Sequence, residues 1–551
     1  MMSDPNSIET DVLIAGAGPV GLVLAMVLAK RGVRVAMLEP RRRLEPPSVK
    51  CNHVSARSME IFRRLGVANL VRNAGLPEDY PHDISYRTTA TGVELTRIPI
   101  PCRRDRYTDK SGPDANWPTS EPPHRINQIY LEPILFEYAE GQQNIRILNR
   151  EALISFSQDE NSVSIISKNE DTGKESTYNA RYLVGCDGGK SIVRKMIGSR
   201  LEGDAVVQRV QSTLIRAPGL LSLFKQAPAW ATFSLNPRRC GNTYAIDGKE
   251  MWLVHNYLRD GEPDFDAVDR DACLREILGV DEKFQYEMLS KEDWFGRRLL
   301  ANKFRDRRVF ICGDAAHLWV PYAGYGMNAG IADAENLGWT LAARIQGWGG
   351  EAILDAYEAE RRPITEQVSY FAMNHAQAMS QQRTSVPPGI EEQSDEGAEL
   401  RSKLGTAAYE LNVQQYCCAG LNFGYFYDQS PLVVYDGEAF PPYTMGSYEA
   451  SSVPGCRTPY VELEGGTPLY DVLGIGYTML RFDANVDVTD FEALARERGM
   501  PLMIVDIHSH DSRCNAYSHK LVLSRPDQHI AWRGDKLPEN VAGLIDKICA
   551  A

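Results

Sequence analysis

The stretch DVLIAGAGPVGLVLAMVLAKRG, residues 11–32, decides how the rest of the chain is read. No charged side chain stands between Val12 and Ala29, a run at the lower limit of a bilayer-spanning length. A secretory signal would place positive charge before the run, but Asp4, Glu9 and Asp11 precede it. Gly16, Gly18, Pro19 and Gly21 interrupt the run where a strand would turn into a helix. The stretch therefore reads as a buried strand over 12–15 and a helix over 20–30. A second strand, VRVAML, follows and ends on Glu39, completing a βαβ unit.

The chain has 551 residues, enough for two to four domains with large cores. Its apolar content of 43% and charged content of 24% are those of a globular protein in water. A formal charge of −13 argues against a general nucleic-acid or anionic-membrane binder. No other stretch approaches a spanning length and no targeting segment is evident, so the cytoplasm is the expected location. The eleven cysteines are scattered, with no CxxC pair and no cysteine–histidine spacing of the zinc kind. No metal site is expected. The thiols read as free, and Cys186 and Cys312, in apolar strand-like runs, read as small buried hydrophobes.

Gly16, Gly18 and Gly21 form GxGxxG between a strand and a helix. In such a unit the first glycine permits the tight turn and the second lets a pyrophosphate approach the backbone. The third allows close helix–strand packing. The helix N-terminus offers unpaired N–H groups and partial positive charge to phosphates. Glu39 stands 18 residues after the last glycine, where a carboxylate accepts from both hydroxyls of a ribose and repels a 2′-phosphate. FAD or NAD is thus favoured over NADP at this element.

Two further elements follow. In YLVGCDGGKSIVRKMIG, 182–198, an apolar strand runs into Asp187-Gly188, with Ser191 and Arg194 at the start of a helix. In RVFICGDAAHLWVPYAGYGMNAGIADAENLGWTLA, 308–342, a buried strand ends in Gly313-Asp314 before a glycine-rich loop and a helix. Asp314 can accept a hydroxyl of a ribityl chain, and the loop from Pro321 to Asn328 can bring N–H groups against a flat ring.

Together these elements resemble the single-component FAD aromatic hydroxylases, the family of para-hydroxybenzoate and phenol hydroxylases. The resemblance implies that Gly16, Gly18, Pro19, Gly21, Glu39 and Arg41 hold the ADP half of FAD. It implies that Asp187 and Gly188 serve FAD and NAD(P)H, and that Gly313 and Asp314 take the ribityl chain. Pro321, Gly324, Gly326, Met327 and Asn328 would lie along the ring. KCNHVSARSMEIFRRLG, with Lys50 and Arg57, and RINQIYLEPIL, with Gln128, resemble two lesser signatures of that family. Departures are present. HLWVPYAGYGMN has Val320 and Ala323 where the family often has proline and glycine, and Lys50 stands where many relatives carry arginine.

Between the flavin elements, VQSTLIRAP, WATFSLNP and TYAIDGKEMWLVHNYL are short runs rich in Thr, Tyr, Trp and Val. The Asp-Gly in AIDGKEMW signals a hairpin. An antiparallel sheet roofing a substrate cavity is expected there. His53, His255, Tyr257 and Tyr322 are the candidates for orienting a substrate, and Arg297 and Arg298 are candidates for a substrate carboxylate. His317, next to Gly313-Asp314, reads as structural. Arg41, Arg42 and Arg43 are candidates for the nicotinamide cofactor's phosphates.

Past residue 375 the apolar pattern fades, and SQQRTSVPPGIEEQSDEGAEL reads as a polar loop. From GSYEASSVPGC onward, strand, helix, strand, hairpin and helix follow in an order that resembles the thioredoxin-like C-terminal domain of the phenol-hydroxylase subgroup. Without CxxC that domain would have no redox role.

The fold class expected is α/β (α+β overall). A Rossmann-like FAD-binding domain is drawn from 1–80, 121–200 and 300–378, with an inserted mixed or antiparallel substrate sheet from 81–120 and 201–299. A linker covers 379–444, and a thioredoxin-like domain covers 445–551. The resemblance implies an NAD(P)H- and FAD-dependent monooxygenase that hydroxylates a phenolic or related aromatic small molecule with O2 through a flavin hydroperoxide. Polyketide-tailoring or polycyclic hydroxylation by the same class, and a flavin oxidase or reductase, are the alternatives. A halogenase would show WxWxIP, which the chain lacks. Partners expected are the aromatic substrate and O2, without nucleic acid or a membrane span, with a homodimer as a family-level expectation.

Overall fold

The computed structural model describes residues 8–50, 52–320 and 324–551. Its opening forms strand Ile8–Ala15, helix Pro19–Lys30 and strand Val35–Glu39. The uncharged run has a simple cause. Val12, Leu13 and Ile14 are fully buried in the middle of a parallel sheet, covered on both faces, and the helix packs between that sheet and the long helix Tyr325–Gln346. No helix among the described residues is long and apolar enough to cross a membrane.

In the first sheet the parallel strands run Val309–Ile311, Glu175–Gly185, Ile8–Ala15, Val35–Glu39 and Ile145–Asn149, in that spatial order. Strands Glu151–Gln158 and Val163–Asn169 add an antiparallel extension beside Glu175–Gly185. The GxGxxG turn, Asp187 and Gly313 leave neighbouring strands at their C-terminal ends, the place where an open α/β sheet binds its ligand.

The second sheet is built from Glu287–Ala301, Leu201–Arg216, Met251–Tyr257, Gly241–Ala245, Ala231–Ser234, Ile84–Arg87 and Glu94–Ile98, in that order. It is antiparallel except where Ala231–Ser234 pairs in parallel with Ile84–Arg87. The short strand His317–Leu318, just after Asp314, pairs with Leu299 and Leu300 and joins the flavin-side elements to this sheet. The Asp-Gly hairpin expected at 245–252 connects Gly241–Ala245 to Met251–Tyr257.

The segment read as a polar loop is helical instead. Helix Asp355–Thr384 extends into its start, and after a short 3-10 turn helix Asp395–Tyr416 takes up its end. Ser394 caps the latter by accepting from the Gly397 N–H, Asp395 and Glu396 suit its positive end, and Leu400, Leu404 and Ala408 lie on one face. That face packs beside strand Glu94–Ile98, so residues 379–417 contribute to the second core, while Leu432 and Val434 further on pack in the first.

The C-terminal unit has strand order Leu502–Asp506, Tyr477–Arg481, Leu521–Ser524, Ile530–Gly534. The first pair is parallel and the rest antiparallel, with helices Thr489–Glu497 and Val541–Cys549. Its last hairpin turn carries Arg525, Asp527 and Gln528 into the flavin-side core. There Arg525 meets Glu360 on helix Asp355–Thr384 at 2.6 and 2.7 Å.

Candidate active site

A cavity of about 540 Å³ lies between the two sheets and is lined from both. The first sheet and the helices and turns around it contribute Gly18, Pro19, Gln128, Gly188, Asp314, Gly324, Gly326 and Met327. The second sheet and its neighbours contribute Trp230, Phe233, Tyr244, His255, Trp294 and Tyr416.

Backbone demands explain the glycines on the first-sheet side. Gly16 sits at φ +102°, and a Cβ there would lie 2.4 Å from the Cys186 carbonyl oxygen. A Cβ on Gly21 would lie 2.2 Å from the Gly16 carbonyl oxygen, whereas one on Gly18 would meet only open space. Gly16 and Gly21 thus serve the crossing of strand and helix, and Gly18 leaves the backbone bare to the cavity. Helix Pro19–Lys30 begins there with no side-chain cap, so its first N–H groups remain available to an anion.

Glu39 is buried, but not on the main cavity. It accepts from the Ala17 N–H at 2.8 Å and from Arg41, whose guanidinium also meets Glu132 at 2.6 Å. Burial pushes the Glu39 carboxyl upward, and the hydrogen bonds and charge of Arg41 outweigh it, holding the group below the ordinary carboxylate range. Arg41 does line the cavity. Its neighbours do not. Arg42 pairs with Asp171 and Arg43 with Glu140, both on the exposed surface and off the cavity wall.

Asp314 is exposed on the cavity, with protein close on its other sides. Burial raises it above its ordinary value, against the pull of His317 and Lys50. Lys50 lines the cavity and pairs with Glu292 at 2.9 Å. Gln128 lines it too and donates to Glu132 at 3.0 Å.

Several expected cofactor residues act one layer back. Asp187 accepts from the Ile192 and Val193 N–H groups and so fixes the helix after Gly188. Asn328 accepts from the Ser55 N–H at 2.9 Å and the Ser58 hydroxyl at 2.7 Å, and donates to the His53 carbonyl at 3.1 Å. It staples the helix Tyr325–Gln346 to the segment before helix Ala56–Leu65. His317, on the cavity wall, donates from Nε2 to Asp333 at 2.6 Å, with Arg361 on the other carboxylate oxygen at 2.8 Å.

Arg57 departs from expectation. It is 4% exposed and turned away from the cavity, onto Glu60, the Asp527 carbonyl and the Gln528 side chain of the C-terminal hairpin. A buried guanidinium settles where carboxylate and carbonyl oxygens converge, and they converge at that interface. Arg297 and Arg298 also miss the cavity. Arg298 meets Asp204 and the face of Tyr370. Cys186 is half-buried on the cavity wall rather than in the core, while Cys312 is buried. Pro321 and Tyr322 lie outside the described residues.

The second sheet turns one face to the cavity, and strand alternation chooses the residues. Phe233 stands opposite Asn242, Asn242 opposite His255, His255 opposite Ser212 and Ser212 opposite Glu292. All five line the cavity. His255 lies edge-on between Tyr244 at 5.3 Å and Trp294 at 6.0 Å and has no hydrogen bond among the described residues. Burial lowers its pKa to about 4, so its imidazole is neutral near pH 7. Tyr257 accepts from Asn242 at 2.7 Å and lies under the Arg383 guanidinium. His53 is buried on the wall. Burial first, and the charge of Arg125 second, hold it well below the ordinary imidazole value.

The sequence reading passed over Arg125, Trp230, Asn242, Trp294 and Tyr416, all on the cavity wall. The signal for some was present: in GNTYA and MWLVHNY every second residue belongs to the same face as His255 and Tyr257. No local pattern marks Arg125 or Tyr416, which arrive from a loop and a helix end.

The family model described as an FAD binding domain matches residues 9–372. The chain is 32% identical to an FAD-dependent monooxygenase of Emericella nidulans, over 96% of this chain and 88% of that one. It is 28% identical to a phenol 2-monooxygenase of Pseudomonas sp., over 97% of this chain and 91% of that one. The solved structure of the rebeccamycin biosynthetic enzyme RebC with reduced flavin superposes with a TM-score of 0.87 at 32% identity, covering 98% of this chain and 99% of that one. With a glycine turn, an uncapped helix end and Asp314 converging on one cavity, this chain belongs to the FAD-binding-domain family and, within it, to the FAD-dependent monooxygenases.

Proposed function

We propose that this chain hydroxylates an aromatic small molecule with O2, taking electrons from NADH or NADPH. One observation carries the reading: the elements that suit FAD and a wall of aromatic side chains belong to a single cavity. Bound FAD supplies the redox chemistry that activates O2, and the chain supplies position and dryness. Gly18 and Pro19, on the turn that Gly16 and Gly21 shape, would receive the pyrophosphate, Asp314 the ribityl hydroxyls, and Gly324, Gly326 and Met327 the ring. Glu39 would receive the ribose once the Arg41 side chain swings aside. Phe233, Tyr244, Trp294 and Tyr416 give a flat substrate its resting faces, and His255 accepts a hydrogen bond from its hydroxyl, drawing electron density into the ring. The breadth of the aromatic lining, with Phe233, Tyr244, Trp294 and Tyr416 on one wall, favours a fused-ring substrate over simple phenol.

The four-part division given above, with 379–417 of its linker moved to the substrate side, is part of this reading. The C-terminal strand order supports a thioredoxin-like unit that serves as a structural buttress. A homodimer and a cytoplasmic location are proposed on the family resemblance alone.

The test follows NAD(P)H oxidation by the purified protein against phenols and fused-ring phenols, with product mass and peroxide measured together. Stimulated oxidation with a product sixteen mass units heavier supports the reading. Stimulated oxidation that yields only peroxide for every compound overturns it in favour of an oxidase.

Two variants sharpen the assignment. Gly16→Val forces a side chain into the Cys186 carbonyl and is expected to purify without flavin absorbance; full FAD content in that variant would refute the turn's role. His255→Phe keeps the edge contacts but removes the acceptor, and turnover is expected to fall about a hundredfold with FAD content unchanged. Because His255 is already neutral, the wild-type rate should show no ionisation limb near 6.5, the ordinary imidazole value. A limb there that vanishes in His255→Phe would contradict the neutral-acceptor role.

A further inference from the structure

Arg125 is 2% exposed, and its backbone is pinned by the bridge between Val54 and His124. Its guanidinium stands 4.4 Å from the ring centroid of Trp230 and 5.8 Å from that of Tyr416, on the wall of the cavity. Aromatic contacts of this kind hold the planar group by its faces and leave its edges for acceptors in the same plane.

Those edges are poorly supplied. Nη1 bonds to Nδ1 of His53, a neutral ring. Nη2 is shut off from solvent and has no partner among the described residues. No carboxylate among the described residues pairs with Arg125. The acid whose charge acts most on it, Asp114, is engaged by Arg106 and by the Trp117 indole N–H at 2.8 Å. Comparably buried arginines are treated otherwise. Arg361 meets Asp333, Arg457 meets Glu60 and Arg525 meets Glu360 and Asp527. The other cations on the cavity wall are also answered, Lys50 by Glu292 and Arg41 by Glu39 and Glu132. Desolvating a charge without a counterion is among the costlier states a protein interior holds, and a ligand that brings the counterion relieves it.

We propose that the substrate of this cavity carries a carboxylate that docks on Arg125, beside Trp230 and Tyr416. This rests on the reading of the cavity as the substrate site. A carboxylate suits better than a phenol hydroxyl, because two coplanar oxygens match the guanidinium edge and the group is ionised near pH 7. Docked there, the acid fixes the ring between Trp230, Tyr416 and the sheet face that carries His255. The substrate class is therefore an aromatic, preferably fused-ring, carboxylic acid.

The experiment is isothermal titration calorimetry of the FAD-loaded protein with two matched pairs. The probes are 1-hydroxy-2-naphthoate and indole-2-carboxylate, each beside its primary amide. An acid is expected to bind at least about tenfold more tightly than its amide, the difference a charge-assisted pair makes. In Arg125→Gln that preference should disappear while amide affinity stays, and Arg125→Lys should keep part of it. Acids no tighter than amides, or no acid binding at all, overturn the proposal in the wild-type protein, whatever the variants do. A preference that survives Arg125→Gln overturns it as well. An acid that binds on Arg125 but is never hydroxylated sinks the monooxygenase reading and leaves this one standing. An amide hydroxylated while its acid is ignored does the reverse.

Discussion

Stability is expected to fall steeply as the pH drops from 6.5 toward 4. Six of the ten histidines, His53, His82, His124, His255, His375 and His529, are held below the ordinary imidazole value, in each case chiefly by burial. Above pH 6.5 each is neutral in both folded and unfolded chains, so none biases the equilibrium. Below 6.5 the unfolded chain takes up protons that the folded chain refuses, so acid favours unfolding until the folded-state pKa is passed. His529, 1% exposed and lowered to about 4, would by itself remove roughly 3 kcal/mol across that window. Five others act in the same direction. The depressed carboxylates Glu60, Asp333 and Asp527 work at lower pH, because their contribution begins to be lost only as the unfolded carboxyl protonates near 4. Denaturant midpoints measured at several pH values between 7.5 and 5 would check this. A midpoint that stays constant over that range would show that the buried imidazoles are not held neutral by the fold.

Removing Arg525 should be the most damaging single truncation at the boundary of the C-terminal unit. Its side chain is fully buried, bonded to Glu360 and to Asp527, and stacked about the rings of Trp339 and Tyr427 at 5.1 and 5.0 Å. Arg525→Met keeps much of the volume but leaves two buried carboxylates facing each other without a cation. Breaking a buried pair in this way costs about 3–5 kcal/mol. The loss should be local first. Hydrogen exchange is expected to speed up in the hairpin 521–534 and around Asn336, which bonds to both carboxylates, before it does in the first sheet. Adding Glu360→Gln removes one of the stranded charges, so the double variant should be more stable than Arg525→Met alone. A double variant that is worse by the sum of the single effects would mean that Arg525 acts through packing and not through charge. Helix Ala56–Leu65 connects this boundary to the cavity, since it holds Arg57 against the hairpin at the same end that presents Ser55 and Ser58 to Asn328. Loosened FAD binding in Arg525→Met would follow from that linkage.

Much of this was legible in the sequence. The uncharged run at 12–29 could be only a buried strand and helix once its glycines and Pro19 were placed. The Asp-Gly hairpin and the alternating strands around it announced the second sheet. Helix Asp395–Tyr416 was also legible, from the Ser394 cap, the acidic first turn and the spacing of Leu400, Leu404 and Ala408, but the neighbouring prolines and charges masked it. Arg57 was not legible at all. Its partner Gln528 lies 471 positions away, and no local pattern distinguishes an arginine that will face a cofactor from one that will face another domain.

The sequence by itself determined the βαβ opening, the order of the glycine and Gly-Asp turns, and the face on which the second sheet alternates. Those features follow from period, steric freedom and burial within a few neighbouring residues. Only the tertiary structure decided which buried charges are answered by the protein and which, like Arg125, are left for a ligand. Charge neutralisation depends on distances between segments that meet only after packing, and periodicity carries no information about them.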